Sequence, residues 1–382
     1  MSDSQIDLAA LLPPGIRSRI VPDVNGLAFH VLEAGWEQPG RPVVFLLHGF
    51  PELAFSWRHV MGRIAQAGYH VVAPDQRGYG QTSPQPIPFA QDLAPYSILN
   101  LVRDMVALAA VLGVGSVSGV VGHDYGASVA AACTLVRPDL FRSLVIMSSP
   151  FAGPPSWPLP PPRTHDPINV GLAALEPPRR HYQYYFSTQR ANEDLWRCPQ
   201  GIHAFLRAYY HYKSGDWPGN RPFELASWSA AELARMPHYY IMPLAQDMPA
   251  AVASEMPSNA EIDACTWLTE AELSFYSSEY TRTGFQGGLQ WYRTRMDGSL
   301  ARDLALFSGR TIDCPALFLS GDRDWGAYQI PGGLQRMRTT VFSAMGEPHF
   351  VAGAGHWVQQ ERPEATADAV VTFLRSAGRA SN

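Results

Sequence analysis

Gly122-His123-Asp124-Tyr125-Gly126 sets a carboxylate between two small residues at the spacing of a nucleophile elbow. An elbow is a sharp turn from strand to helix, crowded and strained enough to need glycine on both sides. The flanks fit that geometry. Residues 117–121 read as a short buried strand, and residues 127–136 as the opening of a helix of small side chains. A serine at the centre would need a base to become a nucleophile. An aspartate is already ionised at neutral pH. It can displace a leaving group from a saturated carbon and form an alkyl-enzyme ester. Gly and Asp also make ordinary turns, so the pentapeptide needs partners.

The partners follow in chain order, nucleophile, acid, histidine. Residues 316–320 form an apolar strand pattern that runs into Gly321-Asp322-Arg323-Asp324-Trp325. Asp324 is placed to be the acid, and Asp322 is its neighbouring rival. Gly353-Ala354-Gly355-His356-Trp357 then presents a histidine on a glycine-rich loop before a helical run. Asp324 would orient His356, and His356 would activate water. Upstream, the strand pattern at 43–47 ends in His48-Gly49-Phe50-Pro51. In such a fold this loop gives one backbone N–H to an oxyanion hole, and the residue after the nucleophile gives the other. Pro51 has no N–H, so the expected donors are Phe50 and Tyr125.

These motifs together resemble those of the α/β-hydrolase-fold epoxide hydrolases. His48-Gly49-Phe50-Pro51-Glu52, Ser56-Trp57-Arg58, Asp75-Gln76-Arg77-Gly78-Tyr79-Gly80 and the elbow carry the first part of the likeness. Tyr182-Gln183-Tyr184-Tyr185-Phe186 and the segment from Gly284-Phe285 to Trp291-Tyr292-Arg293 carry the second. The resemblance spans about residues 20–363. It implies a mostly parallel sheet flanked by helices, with an inserted helical cap. It also implies that Tyr182 and Tyr292 donate hydrogen bonds to an epoxide oxygen, and that neither cofactor nor metal is needed. Phe50, Tyr125 and Trp357 are the expected substrate-binding side chains. The chain departs from the pattern in carrying Tyr125 where many relatives have Trp, in a long stretch from Met236 to Pro257, and in a proline-rich segment at 151–167.

Two other readings compete. A haloalkane or haloacid dehalogenase would use the same Asp ester, but a halide leaves without a proton and wants N–H donors. Tyr125 and Phe50 do not supply such side chains, whereas two cap phenols suit an alkoxide. A non-catalytic small-molecule receptor on the same fold is the reading from another class. Such a receptor could lose a triad member, and none is missing.

Composition sets wider bounds. The chain has 382 residues, net charge −5, and no Lys/Arg run, which argues against a nucleic-acid partner. Lys213 is the only lysine. Cys133, Cys198, Cys265 and Cys314 are far apart, and no metal-ligand spacing such as H-E-x-x-H occurs. Free thiols suit a reducing, cytoplasmic setting. The acidic start of the chain lacks the basic region of a secretory signal. The uncharged stretch 105–122 is broken at Gly113-Val114-Gly115-Ser116, so it reads as helix then strand rather than a membrane span. The resemblance implies a small hydrophobic epoxide as the partner, and composition adds the expectation of no nucleic acid and no membrane.

The positioning elements follow. Strands are expected at 17–22 and 27–34, joined by an Asn25-Gly26 hairpin turn, then at 43–47, 71–74, 117–121, 143–147, 316–320 and 339–342. Helices are expected at about 55–67, 98–112 (Arg103 and Asp104 on its polar face), 204–212, 270–280 and 364–376. Alternation of this kind predicts a mostly parallel sheet covered on both sides. The expected division is a tail over 1–16, a hydrolase core over 17–150 and 299–382, and a helical cap over 151–298, inserted after the sixth strand.

Overall fold

The computed structural model describes residues 7–159 and 166–380. The first six residues of the expected tail, part of the proline-rich segment at 160–165 and the last two residues lie outside the described residues. Ten strands form: β1 (Ile16–Val24), β2 (Leu27–Ala34), β3 (Val43–Leu47), β4 (His70–Pro74), β5 (Val117–His123), β6 (Leu144–Met147), β7 (Arg179–His181), β8 (Ile241–Pro243), β9 (Ala316–Gly321) and β10 (His349–Val351). Eight make one sheet, ordered β1-β2-β4-β3-β5-β6-β9-β10. The β1–β2 and β2–β4 pairs are antiparallel, and the other pairings are parallel.

Local chemistry explains the elements. Asn25 and Gly26 both have positive φ (47° and 80°), as a two-residue hairpin turn requires. Every residue of β3 and of β6 is buried. That is how an unbroken apolar strand behaves when helices cover both faces of a sheet. The helix Arg58–Gln66 packs against the C-terminal helix Pro363–Ala380, and Ile98–Val111 packs against Tyr125–Val136. Ser97 caps Ile98–Val111 through a bond from the Asn100 amide. None of the described helices is long and apolar enough to cross a membrane.

Between β6 and β9 the described residues add no strand to the large sheet. They form helices, among them Gly201–Lys213, Glu270–Thr283 and Gln286–Met296, and the antiparallel ribbon β7–β8. Polar side chains bind this insertion to the rest. Arg58 is 1% exposed. Its guanidinium donates to Glu272 (2.8 Å) and the Trp267 carbonyl (3.2 Å) of the insertion, and to Gln360 (2.8 Å) and the Phe55 carbonyl (3.1 Å).

Two sequence expectations need correction. Residues 339–342 do not form a strand. Met337–Val341 is a helical turn, and the last strand is β10. The β-branched run Thr339-Thr340-Val341 reads as strand. In the fold both threonine hydroxyls instead donate to carbonyls of the preceding turn, at Gln335 (3.0 Å) and Arg336 (2.7 Å). Asp104 is not on a solvated face either. It is 1% exposed and held by Arg77 (2.7 Å) and Asn25 (2.6 Å), because its side of the helix packs on the β1–β2 turn.

Candidate active site

Asp124 stands at the junction of β5 and the helix Tyr125–Val136, with φ 53° and ψ −119°. Few residues other than glycine tolerate that backbone. The neighbouring glycines answer to crowding. A Cβ on Gly122 would lie 2.2 Å from the Gly126 carbonyl oxygen, and one on Gly126 would lie 2.3 Å from that of Leu47. The elbow is thereby pressed onto the end of β3, and the loop after β3 reaches Asp124. The Phe50 amide donates to Asp124 Oδ1 at 3.1 Å. Tyr125 begins its helix, so its N–H lacks an intrahelical acceptor. Both expected oxyanion donors thus belong to backbone that flanks the carboxylate.

The structure brings His356 and Asp324 to the same place. His356 is 1% exposed, with Nε2 3.6 Å from Asp124 Oδ2 and Nδ1 3.2 Å from Asp324 Oδ1. The first distance is beyond a hydrogen bond, and Nε2 is buried with no partner. Asp324 also accepts from the Gly326 amide (2.7 Å) and the Ser320 hydroxyl (3.1 Å). Burial pushes its carboxyl upward, but His356, Ser148 and the Gly326 amide more than offset that and hold it at about 2. Asp322, the rival, is exposed on the turn and accepts the Gly353 amide at 2.8 Å. It makes no contact with His356. For His356 itself, burial and then the charge of Lys213 outweigh Asp324, so its basicity falls below the ordinary value.

Tyr182 and Tyr292 come from separate parts of the insertion, yet their ring centroids are 6.0 Å apart. Tyr292 packs edge-on against Phe50 (5.5 Å) and Tyr125 (5.8 Å). The phenols differ in their partners. Tyr182 accepts from Gln183 (3.0 Å) and donates to Gln329 (3.4 Å). Among the described residues the Tyr292 hydroxyl has no hydrogen-bond partner. Burial, and next the negative charge of Asp124, raise both phenols above their ordinary range and keep them protonated donors. Phe50 and Tyr125 form walls of this space, and the Tyr125 hydroxyl donates to the Trp291 carbonyl (2.8 Å). Trp357 is fully buried behind His356, its ring 4.5 Å from the imidazole and its indole N–H on the Tyr210 carbonyl (2.9 Å).

Several participants escaped the sequence reading. Ser148 follows β6 with φ 72°. Its hydroxyl donates to Asp324 (2.5 Å) and lies 2.9 Å from His356 Nδ1, so the imidazole proton is shared between Ser148 and Asp324. His123, the variable position of the elbow, contacts Glu52 through Nδ1 (2.5 Å) and the His356 carbonyl through Nε2 (2.7 Å). A carbonyl only accepts, so Nε2 carries hydrogen. Burial opposes a charged His123, but Glu52 overrides it and raises the imidazole. Glu52 also accepts from the Gly49 amide (3.1 Å) and Gln359 (2.7 Å). One buried ion pair thus ties together the loop after β3, the elbow and the His356 loop. The visible signal for it was Glu52, directly after His48-Gly49-Phe50-Pro51. Ser148 offers no such signal. Among the described residues no cluster of side chains is arranged to hold a metal ion.

The family described as alpha/beta hydrolase fold matches residues 42–363. Epoxide hydrolase A of Mycobacterium tuberculosis is 35% identical over 359 residues, covering 92% of this chain and 95% of that protein. An epoxide hydrolase of Caballeronia sordidicola is 30% identical over 92% of each chain. Among solved structures, an epoxide hydrolase from an endophytic Streptomyces superposes with TM-score 0.76 at 29% identity, covering 95% of this chain and 96% of that one. Epoxide Hydrolase A from Mycobacterium thermoresistibile gives TM-score 0.71 at 32% identity, covering 94% and 98%.

Proposed function

From the premise that the chain belongs to the α/β-hydrolase family, and within it to the epoxide hydrolases, we propose that it adds water to an epoxide through an ester on Asp124. In the first step an Asp124 oxygen attacks a ring carbon, and the carbon–oxygen bond of the ring breaks. The electron pair goes to the departing oxygen, which takes a proton from Tyr182 or Tyr292. In the second step His356, oriented by Asp324 and Ser148, takes a proton from water. The hydroxide attacks the carboxyl carbon, and the charge that develops on oxygen meets the amides of Phe50 and Tyr125. The bond between the carboxyl carbon and the alkyl oxygen, the oxygen that Asp124 supplied in the first step, then breaks. That oxygen takes the proton from the His356 imidazolium, and a vicinal diol leaves. The proton left on the new carboxyl returns to the tyrosinate, and Asp124 is restored with one oxygen from water.

One observation carries this reading. His356 Nε2 is buried, without a partner, and 3.6 Å from a nucleophile that needs no deprotonation. A base in that position suits water attacking an ester on Asp124. In this reading 151–298 is the cap, 17–150 and 299–382 the core, and the substrate a small hydrophobic epoxide held by Phe50 and Tyr125 with Trp357 behind the base. Four unpaired cysteines fit a cytoplasmic setting.

The test is a trapped intermediate. His356→Gln, mixed with an epoxide the wild type consumes, is expected to gain the mass of the substrate on Asp124 and to lose it very slowly. A His356→Gln protein that stays unmodified would rule the covalent route out.

A further inference from the structure

Lys213 is a buried charge that this chemistry does not use. It ends the helix Gly201–Lys213 and is 3% exposed. Its ammonium lies 5.2 Å from the ring centroids of Tyr240 and Trp357, 5.3 Å from Tyr209 and 5.8 Å from Tyr239. Among the described residues it has no hydrogen-bond or ion-pair partner. Buried lysines are ordinarily paired, or lose their charge. Here four aromatic rings stand where a carboxylate would be expected, and the faces of such rings attract a cation. The residue is also attached to the candidate base. The Lys213 carbonyl accepts the His356 amide at 2.9 Å, and the Trp357 ring lies beside both the ammonium and the imidazole.

We propose that Lys213 is a positioning residue for the second half-reaction: a fixed positive charge beside His356 that keeps the imidazole uncharged and able to take a proton from water. The need for it comes from the neighbours. Asp324 after β9 faces His356 and favours an imidazolium. Asp124 at the elbow also faces it, but is a neutral ester by the time His356 acts. An imidazolium held on the Asp324 carboxylate could not act as a base. His123, on β5, has its ring 4.9 Å from that of His356 and also lowers it, though its charge is paired with Glu52. Lys213 contributes a positive charge with no counter-ion of its own. Its influence agrees in direction, since after burial it is the main cause that lowers His356. Burial also lowers Lys213, while Asp124, Asp324 and Glu52 favour its charged form.

The proposal rests on the reading of His356 as base, and the experiments separate the two. The 382-residue sequence contains a single lysine. Lysine labelled with ¹³C at Cε therefore gives one side-chain signal that reports the charge of Lys213 directly. It is expected to be an ammonium at pH 7, and a neutral amine there overturns the proposal. In single-turnover ester hydrolysis the rate falls at acid pH as His356 protonates. Lys213→Met is expected to move that limb up by about one pH unit, and Lys213→Arg to keep it near wild type. Superimposable limbs for Lys213→Met and wild type would overturn it. Should Lys213→Met fail to fold, Lys213→Gln takes its place, read by the His356 ring signal against wild type. A His356 that titrates higher than in wild type supports the proposal, and an unmoved one overturns it. A wild type that forms no diol from any epoxide would sink the epoxide reading instead, and the lysine signal would still read the charge.

Discussion

Nδ1 of His356 lies 3.2 Å from Oδ1 of Asp324, while the carboxylate of Asp322, two residues earlier, accepts the Gly353 amide. Asp324→Asn is therefore expected to slow ester hydrolysis by about a hundredfold or more, the usual range for general-base help. Asp322→Asn should leave that rate within about threefold, since it only loosens a surface turn. Rapid-quench measurement of the second step decides between them. The reverse order would mean that the acid is Asp322.

The backbone of Asp124 makes a stability prediction. At φ 53° and ψ −119° a side chain is strained, and glycine is not. Both Asp124→Ala and Asp124→Gly should be inactive. The glycine variant should be more stable than the alanine variant by about 1–3 kcal/mol, the strain carried at such a site. Urea unfolding of the two variants measures the difference. Equal stability would mean that the elbow is relaxed.

The two phenols should be unequal. Tyr182 is held between Gln183 and Gln329, whereas Tyr292 has no partner among the described residues. Tyr292→Phe and Tyr182→Phe are each expected to slow alkylation by about ten- to a hundredfold, with the larger loss at Tyr292. The double variant should nearly abolish ring opening yet leave hydrolysis of a preformed ester largely intact. Stopped-flow traces of the first step test this, and wild-type alkylation by the double variant would return both tyrosines to a packing role.

Acid should destabilise the fold in a defined window. Asp324 and Glu52 are each held at about 2, below the ordinary carboxylate value of about 4. Groups depressed in the folded state add stability above their unfolded value, and that stability is lost as pH falls through the folded one. Melting temperature should thus hold above about pH 5 and drop between about pH 4 and pH 2. Glu52→Gln should start from a lower temperature and show a shallower drop. A wild-type curve flat to pH 2 would contradict this.

What could be read in the chain was whatever is local. The elbow, the strand at 43–47 and the Asn25-Gly26 turn each carry their own signature of types and spacing. Thr339-Thr340-Val341 misled because β-branched residues favour strands until their hydroxyls find carbonyls in a preceding turn. Asp104 misled because a charged residue in a helix implies solvent unless its partner, here Arg77 on another segment, is known. Ser148 was invisible for the same reason. A serine after a strand says nothing until β9 brings Asp324 within 2.5 Å of it. Lys213 was conspicuous as a composition oddity, but its ring of aromatics is assembled from residues 209, 239, 240 and 357 only in three dimensions.

Arg58 limits how freely this scaffold can be rebuilt. Two of its four acceptors come from the insertion, and the guanidinium has no route to water. A lid that covered Arg58 without a carboxylate at the place of Glu272 would strand a buried charge, at a cost of about 3–5 kcal/mol. The sheet and its helices are therefore not a free-standing chassis onto which lids can be exchanged. Any transplanted lid must offer a carboxylate where Glu272 now stands, or Arg58 must be replaced along with it.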